Sequence, residues 1–183
     1  MQRIVDKYGI LLLADEVITG FGRLGTWFAS QYYGIRPNLI TFAKAATSGY
    51  IPLSGVIVDD KIVDVLMAHA DDFNHGYTFS GHPVACAVAL KNLEIIEQEK
   101  LVPRVKEFAG PALAKMLAKF KDHPLVGEVR SVGLLGAIEL VADKRTAAAS
   151  PILAASASSA AIISSAKASS CAPCSTPWSP LRR

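Results

Sequence analysis

Two residues whose side chains can do chemistry follow apolar runs in the sequence. Asp15 follows the run at residues 10–14, and Lys44 follows the run at residues 39–42. Short runs rich in aliphatic, β-branched and aromatic residues are typical of buried strands, and open α/β sheets bind ligands at the carboxyl ends of their strands. An ammonium group there loses hydration, which favours the nucleophilic free amine. The pattern therefore predicts an acid and an amine at one edge of a sheet.

Two interpretations of this pair are open from residue types and spacing. Pyridoxal phosphate requires a lysine for its Schiff base and an acid opposite its pyridinium nitrogen, and Lys44 and Asp15 would supply both. The simpler interpretation is a buried Asp–Lys ion pair, or a lysine that extends to solvent at the sheet edge.

Three longer motifs accompany Asp15 and Lys44 in the sequence. Residues 14–23 read ADEVITGFGR, Lys44 is followed at residues 48–53 by SGYIPL, and residues 75–83 read HGYTFSGHP. In this order the motifs resemble the class III pyridoxal-phosphate aminotransferases, most closely the branch that acts on ω-amino acids or amines with pyruvate. The resemblance extends from residue 1 to about residue 144.

The resemblance implies a role for four residues. Lys44 would attach the cofactor and move a proton between the substrate Cα and the cofactor, and Asp15 would hold the pyridinium. Val17 would pack on one ring face, and Thr78 would bind the cofactor phosphate of the neighbouring subunit in a homodimer. The implied reaction moves an amino group from a primary amine or ω-amino acid to an α-keto acid such as pyruvate. Ser80 and His82 are expected to shape the loop and cap a helix.

The family resemblance also implies a fold. We expect an α/β protein comprising the C-terminal half of the fold-type-I large domain (residues 1–99) and a truncated α+β small domain (residues 100–145). The sequence pattern predicts strands at residues 10–14, 39–42, 55–58, 126–132 and 134–141, and helices at residues 2–8, 27–33, 84–99 and 102–121. Compared with the family, the first half of the large domain would be missing, with its phosphate-binding loop and ring-stacking aromatic residue.

The last 38 residues differ in composition from the rest. All 13 glycines lie at or before Gly136 and all 16 acidic residues at or before Asp143, whereas residues 146–183 contain 21 Ala or Ser. One choice of codons for residues 168–180 reads GLIVRPMLDTMVA in a shifted frame, which resembles the family's small-domain segment. We therefore expect a poorly ordered tail, with a frameshift as its origin.

Charge and cysteine content narrow the function classes. The net charge of +3 arises in the tail, from Lys167, Arg182 and Arg183, so it predicts no nucleic-acid surface. No apolar stretch has the length of a membrane span, and three cysteines do not form a secreted disulfide framework, so we expect a soluble cytoplasmic protein. The pair Cys171 and Cys174 leaves a redox or zinc site open, and no other metal site is expected. A further alternative is a truncated, catalytically inactive aminotransferase.

Overall fold

The computed structural model describes residues 1–69 and 75–146, and the backbone of residues 148–149 and 160–162. The first group of elements is α1 (Gln2–Tyr8), β1 (Leu13–Asp15), α2 (Ala29–Tyr33), β2 (Leu39–Phe42), β3 (Gly55–Val58), α3 (Asp60–His69) and α4 (Pro83–Gln98). The second is α5 (Leu101–Arg104), α6 (Gly110–Ala118), β4 (Val126–Val132), β5 (Leu135–Asp143), β6 (Ala148–Ala149) and β7 (Ala160–Ile162). The mixture of helices and strands confirms the predicted α/β class.

The first sheet has the strand order β1-β2-β3. Strands β1 and β2 are parallel, with Asp15 opposite Thr41, and β3 runs antiparallel to β2, with Gly55 opposite Phe42. Because β1 and β2 are parallel neighbours, the residues that follow them emerge at the same edge. This edge carries both Asp15 and Lys44.

The second sheet contains β4, β5, β6 and β7. Strand β5 pairs antiparallel with β4, β6 and β7. Helix α6 contacts β4 and β5, and its Leu113 and Leu117 are among the most deeply buried side chains of the described chain. The core of this half therefore lies between α6 and the sheet. The single helix predicted at residues 102–121 is instead α5 and α6, joined by a π-helical turn at residues 105–109.

The apolar run at residues 10–14 is largely exposed in the first sheet. An all-apolar strand at residues 10–14 suggested cover on both faces, but Leu11 is 61% exposed and Leu13 is 53% exposed. The strand is also shorter than predicted, since β1 begins at Leu13. Leu12 and Ala14 are half-buried, so the side chains of Leu11 and Leu13 contribute most of the apolar surface that this run presents to solvent.

The predicted tail falls mainly outside the described residues, as do Cys171 and Cys174. Two short stretches within it, Ala148–Ala149 and Ala160–Ile162, pair with β5. The domain boundaries at residues 99 and 145, and the poor order and frameshift origin of the tail, remain predictions. None of the helices in the described residues combines the length and the hydropathy that a transmembrane helix requires.

Candidate functional site

A cavity of about 580 Å³ lies at the carboxyl edge of β1 and β2. Asp15, Val17 and Lys44 line it. The opposite wall comes from β4 and β5, through residues that include Arg130 and Leu135. The structure therefore brings three of the four predicted site residues to one cavity.

The carboxylate of Asp15 is oriented by two hydrogen bonds to the same oxygen. Its Oδ1 accepts the backbone N–H of Val17 at 3.1 Å and the hydroxyl of Thr41 at 3.2 Å. Within the described residues, Oδ2 has no hydrogen-bond partner. Asp15 is exposed at the cavity, so its Oδ2 is available to accept a hydrogen bond from a ligand.

Lys44 begins the 3₁₀ turn Lys44–Ala46 that directly follows β2. Its φ of 42° lies in the left-handed region, which is unfavourable for a residue with a Cβ and is often found at functional sites. Lys44 also lines a second cavity of about 820 Å³, so it lies at the junction of the two. The expectation that its ammonium is desolvated is wrong for the described chain, because the lysine is exposed at the open edge of the sheet.

Asn92 on α4 holds the lysine turn in place. Its side-chain amide donates to the backbone oxygens of Ala45 at 2.8 Å and Ala46 at 3.0 Å, and its Oδ1 accepts the hydroxyl of Ser48 at 2.7 Å. Sequence reasoning missed this residue. The only signal was a polar side chain inside an apolar helical pattern, and nothing in the sequence showed that it would face residues 45–48.

Thr78 lies away from the Asp15 cavity. It is exposed, in a turn where the Tyr77 N–H donates to the Ser80 hydroxyl at 2.9 Å. It lines neither cavity, although its neighbours Tyr77, Phe79 and Ser80 line the larger one. This placement leaves its predicted role toward a neighbouring subunit untested. His82 caps α4 as expected, since its Nδ1 accepts the Ala85 N–H at 3.4 Å.

Metal ligation finds no support in the described part of the chain. No group of three or more His, Cys, Asp or Glu side chains there is arranged to hold a metal ion. The Asp15 cavity offers a carboxylate, an amine and an apolar residue, and these are the groups that a pyridoxal phosphate site requires.

Comparison with known proteins gives consistent results. The family model for the class III aminotransferases matches residues 1–172. The chain is 54% identical over 146 residues to the putrescine–pyruvate aminotransferase of Pseudomonas aeruginosa, covering 80% of this chain and 32% of that protein. It is 48% identical over 146 residues to the diaminobutyrate–2-oxoglutarate transaminase of Halomonas elongata, covering 78% of this chain and 31% of that protein.

Solved structures give the same result. A thermostable (S)-enantioselective ω-transaminase from Thermomicrobium roseum superimposes with a TM-score of 0.79 and 49% identity, over 83% of this chain and 34% of that one. A transaminase from the marine bacterium Virgibacillus has a TM-score of 0.78 and 47% identity, over 84% of this chain and 35% of that one. The chain thus spans about a third of the length of these relatives. It belongs to the class III aminotransferases, and its fold is part of the fold-type-I architecture of that family.

Proposed function

We propose that Asp15, Val17 and Lys44 form the cofactor-binding part of a site that transfers an amino group from a primary amine or ω-amino acid to an α-keto acid such as pyruvate. The class III aminotransferases depend on pyridoxal phosphate. The observation that carries the proposal is the shared cavity at the ends of two adjacent parallel strands, where acid, apolar residue and lysine meet. The relative named for putrescine and pyruvate supports the choice of amine and acceptor.

Each of the three residues has a distinct task. When bound, pyridoxal phosphate supplies an aldehyde for covalent attachment and a ring that withdraws electrons from the substrate. The Oδ2 of Asp15 would hold a proton at the ring nitrogen, while its Oδ1 stays bound to Val17 and Thr41. Val17 would cover one ring face and exclude water from it. The Nζ of Lys44 would attach the cofactor and, once released by substrate, move a proton at the substrate Cα.

Assembly and location are further parts of the proposal. Because Thr78 is exposed and lines neither cavity, it suits contact with a second subunit, where it would bind the cofactor phosphate in a homodimer. A cytoplasmic location agrees with three cysteines that predict no secreted disulfide framework.

A second candidate is a chain that retains the site residues without turnover. The exposure of Asp15, Lys44 and the apolar side chains of Leu11 and Leu13 favours it, because a site open to water positions its groups weakly. We therefore expect little or no alanine formation from pyruvate and an amine by the 183-residue chain alone. Sustained turnover that disappears in Lys44→Ala would contradict this expectation.

Selective labelling of Lys44 tests the cofactor site independently of turnover. The purified chain is incubated with pyridoxal phosphate, reduced with borohydride and mapped by peptide mass spectrometry. We expect the adduct to form at Lys44 at cofactor concentrations that leave the other exposed lysines unlabelled, because the Asp15 carboxylate and the cavity raise the local cofactor concentration.

Lys115 provides the matched control, since it is an exposed lysine on α6 outside both cavities. Lys115→Ala should leave the labelling pattern unchanged, whereas Lys44→Ala should remove the selective adduct. Equal labelling of all exposed lysines in the original chain would refute the proposed site.

A further inference from the structure

Glu16 is the most deeply buried charged residue of the described chain, at 2% exposure. It lies between Asp15 and Val17, but does not line their cavity. Asp15 and Val17 line the cavity, whereas the buried Glu16 side chain points away from it. Its carboxylate has no part in the chemistry described above.

The Glu16 carboxylate accepts three short hydrogen bonds. Its Oε2 accepts the hydroxyl of Thr19 at 2.6 Å and the backbone N–H of Ala29 at 2.7 Å. Its Oε1 accepts the backbone N–H of Ser30 at 2.6 Å. These contacts join the end of β1 to the loop that follows it and to the first turn of α2.

The backbone of Glu16 makes two hydrogen bonds of its own. Its N–H donates to the Thr41 oxygen of β2 at 3.0 Å, and its carbonyl accepts the Gly20 N–H at 2.9 Å. Thr41 also donates its hydroxyl to Asp15. The residue therefore links β2, the strand that precedes Lys44, to the loop that contains Val17.

Only a carboxylate satisfies this arrangement of donors. Both of its oxygens accept, whereas a glutamine has one accepting oxygen and an NH₂ group that would face a backbone N–H. Buried donors left without an acceptor are costly, so the loop would have to move to recover partners.

We propose that Glu16 is a positioning residue for the cofactor: by clamping the loop and α2 behind the strand end, it directs Asp15 and Val17 into the cavity. This inference rests on the proposed function, because it assigns Asp15 to the ring nitrogen. It predicts that Glu16 acts on the cofactor through Asp15 rather than through folding in general.

The first test compares hydrogen exchange in the cofactor-free chain. The Val17 N–H reports the orientation of Asp15, since it donates to Asp15 Oδ1. In Glu16→Gln we expect this amide to exchange about tenfold faster, the scale of one lost hydrogen bond, with the β1 amide of Ala14 unchanged. Glu97→Gln, which removes an exposed acid from α4, serves as the matched control and should alter neither amide.

The second test measures binding of two probes by equilibrium dialysis: pyridoxal phosphate, and its analogue in which carbon replaces the ring nitrogen. Glu16→Gln should weaken binding of pyridoxal phosphate about tenfold and binding of the analogue less than about twofold, because only the former contacts Asp15 through a ring N–H. In an Asp15→Asn background, Glu16→Gln should have no further effect on pyridoxal phosphate, since coupled residues are not additive.

Several results would overturn the role of Glu16. If Glu16→Gln weakens binding of both probes equally, its effect is a general structural one. The same conclusion follows if Glu16→Gln lowers the affinity for pyridoxal phosphate by the same factor in the Asp15→Asn background. If Glu16→Gln does not fold, Glu16→Asp keeps both oxygens and should retain the preference for pyridoxal phosphate. Failure of both variants to fold would make Glu16 a folding residue and refute the proposal.

The proposed function fails by a different result. If the original chain binds neither probe, or binds both equally, the contact between Asp15 and the ring nitrogen is wrong. Exchange at Val17 then decides the Glu16 clamp by itself: faster exchange in Glu16→Gln supports it, and unchanged exchange overturns it.

Discussion

Gly133→Ala should destabilise the chain and disturb the cavity, because Gly133 packs against the backbone of another loop. Gly133 has a φ of +54°, and a Cβ built on it would lie 2.6 Å from the Arg23 carbonyl oxygen and 2.6 Å from the Leu24 Cα. The next residue, Leu134, donates its N–H to the same Arg23 oxygen at 2.9 Å. Since Leu24 and Leu135 both line the Asp15 cavity, any shift here reaches the site.

The size of the effect follows from two costs. The left-handed backbone costs a residue with a Cβ about 1–2 kcal/mol, and forcing a methyl group into a packed contact costs a further 1–3 kcal/mol or so. Gly34→Ala isolates the first cost, because Gly34 has a φ of +62° and nothing within 4 Å of its added Cβ. Both variants gain equally from a less flexible unfolded chain. The difference between them therefore measures the contact alone, at about 1–3 kcal/mol.

Urea unfolding followed by circular dichroism measures this difference. With a slope of about 2 kcal/mol per M, the midpoint of Gly133→Ala should fall roughly 0.5–1.5 M below that of Gly34→Ala. Equal midpoints would refute the reasoning, because they would show that the Arg23–Leu24 loop moves away from Gly133 at no cost.

Three further predictions concern the site and the pH dependence of stability. When this segment is joined to the remaining parts of a class III aminotransferase, Lys44→Ala in the joined protein should abolish both the borohydride-trapped adduct and transamination. Turnover without the adduct would contradict the role of Lys44. Asp15→Asn should retain the adduct but slow turnover roughly 100-fold, the scale of losing one preorganised electrostatic partner, and normal turnover would disprove its assigned role. The pKa of Asp59 lies below its ordinary value of 3.8, because the Lys61 backbone N–H and the Asn38 side chain donate to it and the Lys61 charge attracts it. The stabilising effect of the Asp59 carboxylate should be complete above pH 3.8 and be lost as the pH falls through the lowered pKa. The urea midpoints of the original chain and Asp59→Asn should therefore converge in acid. A difference between the two midpoints that stays constant with pH would refute this.

Local structure was largely accessible from the sequence. The predicted helix at residues 2–8 and the strands at residues 39–42, 55–58 and 126–132 coincide with the observed elements. Each has a clear apolar pattern bounded by glycine, proline or asparagine, and such signals act over a few neighbouring residues. The π-helical turn at residues 105–109 was not accessible in the same way, because the local pattern on both sides of it is helical.

The proposed chemistry of the site also comes from local motifs, which resemble one family of aminotransferases. What the tertiary structure decided was how those residues are held and how open they are. Parallel pairing of β1 with β2 places Asp15 and Lys44 at one edge, the Glu16 carboxylate contacts residues 13 and 14 positions away, and Asn92 reaches back to the lysine turn. The distant partners of a side chain depend on which faces of the helices and strands pack against each other. A local sequence pattern does not contain that information. For the same reason the apolar run at residues 10–14 predicted a strand, but the degree to which Leu11 and Leu13 are exposed is set by the packed chain.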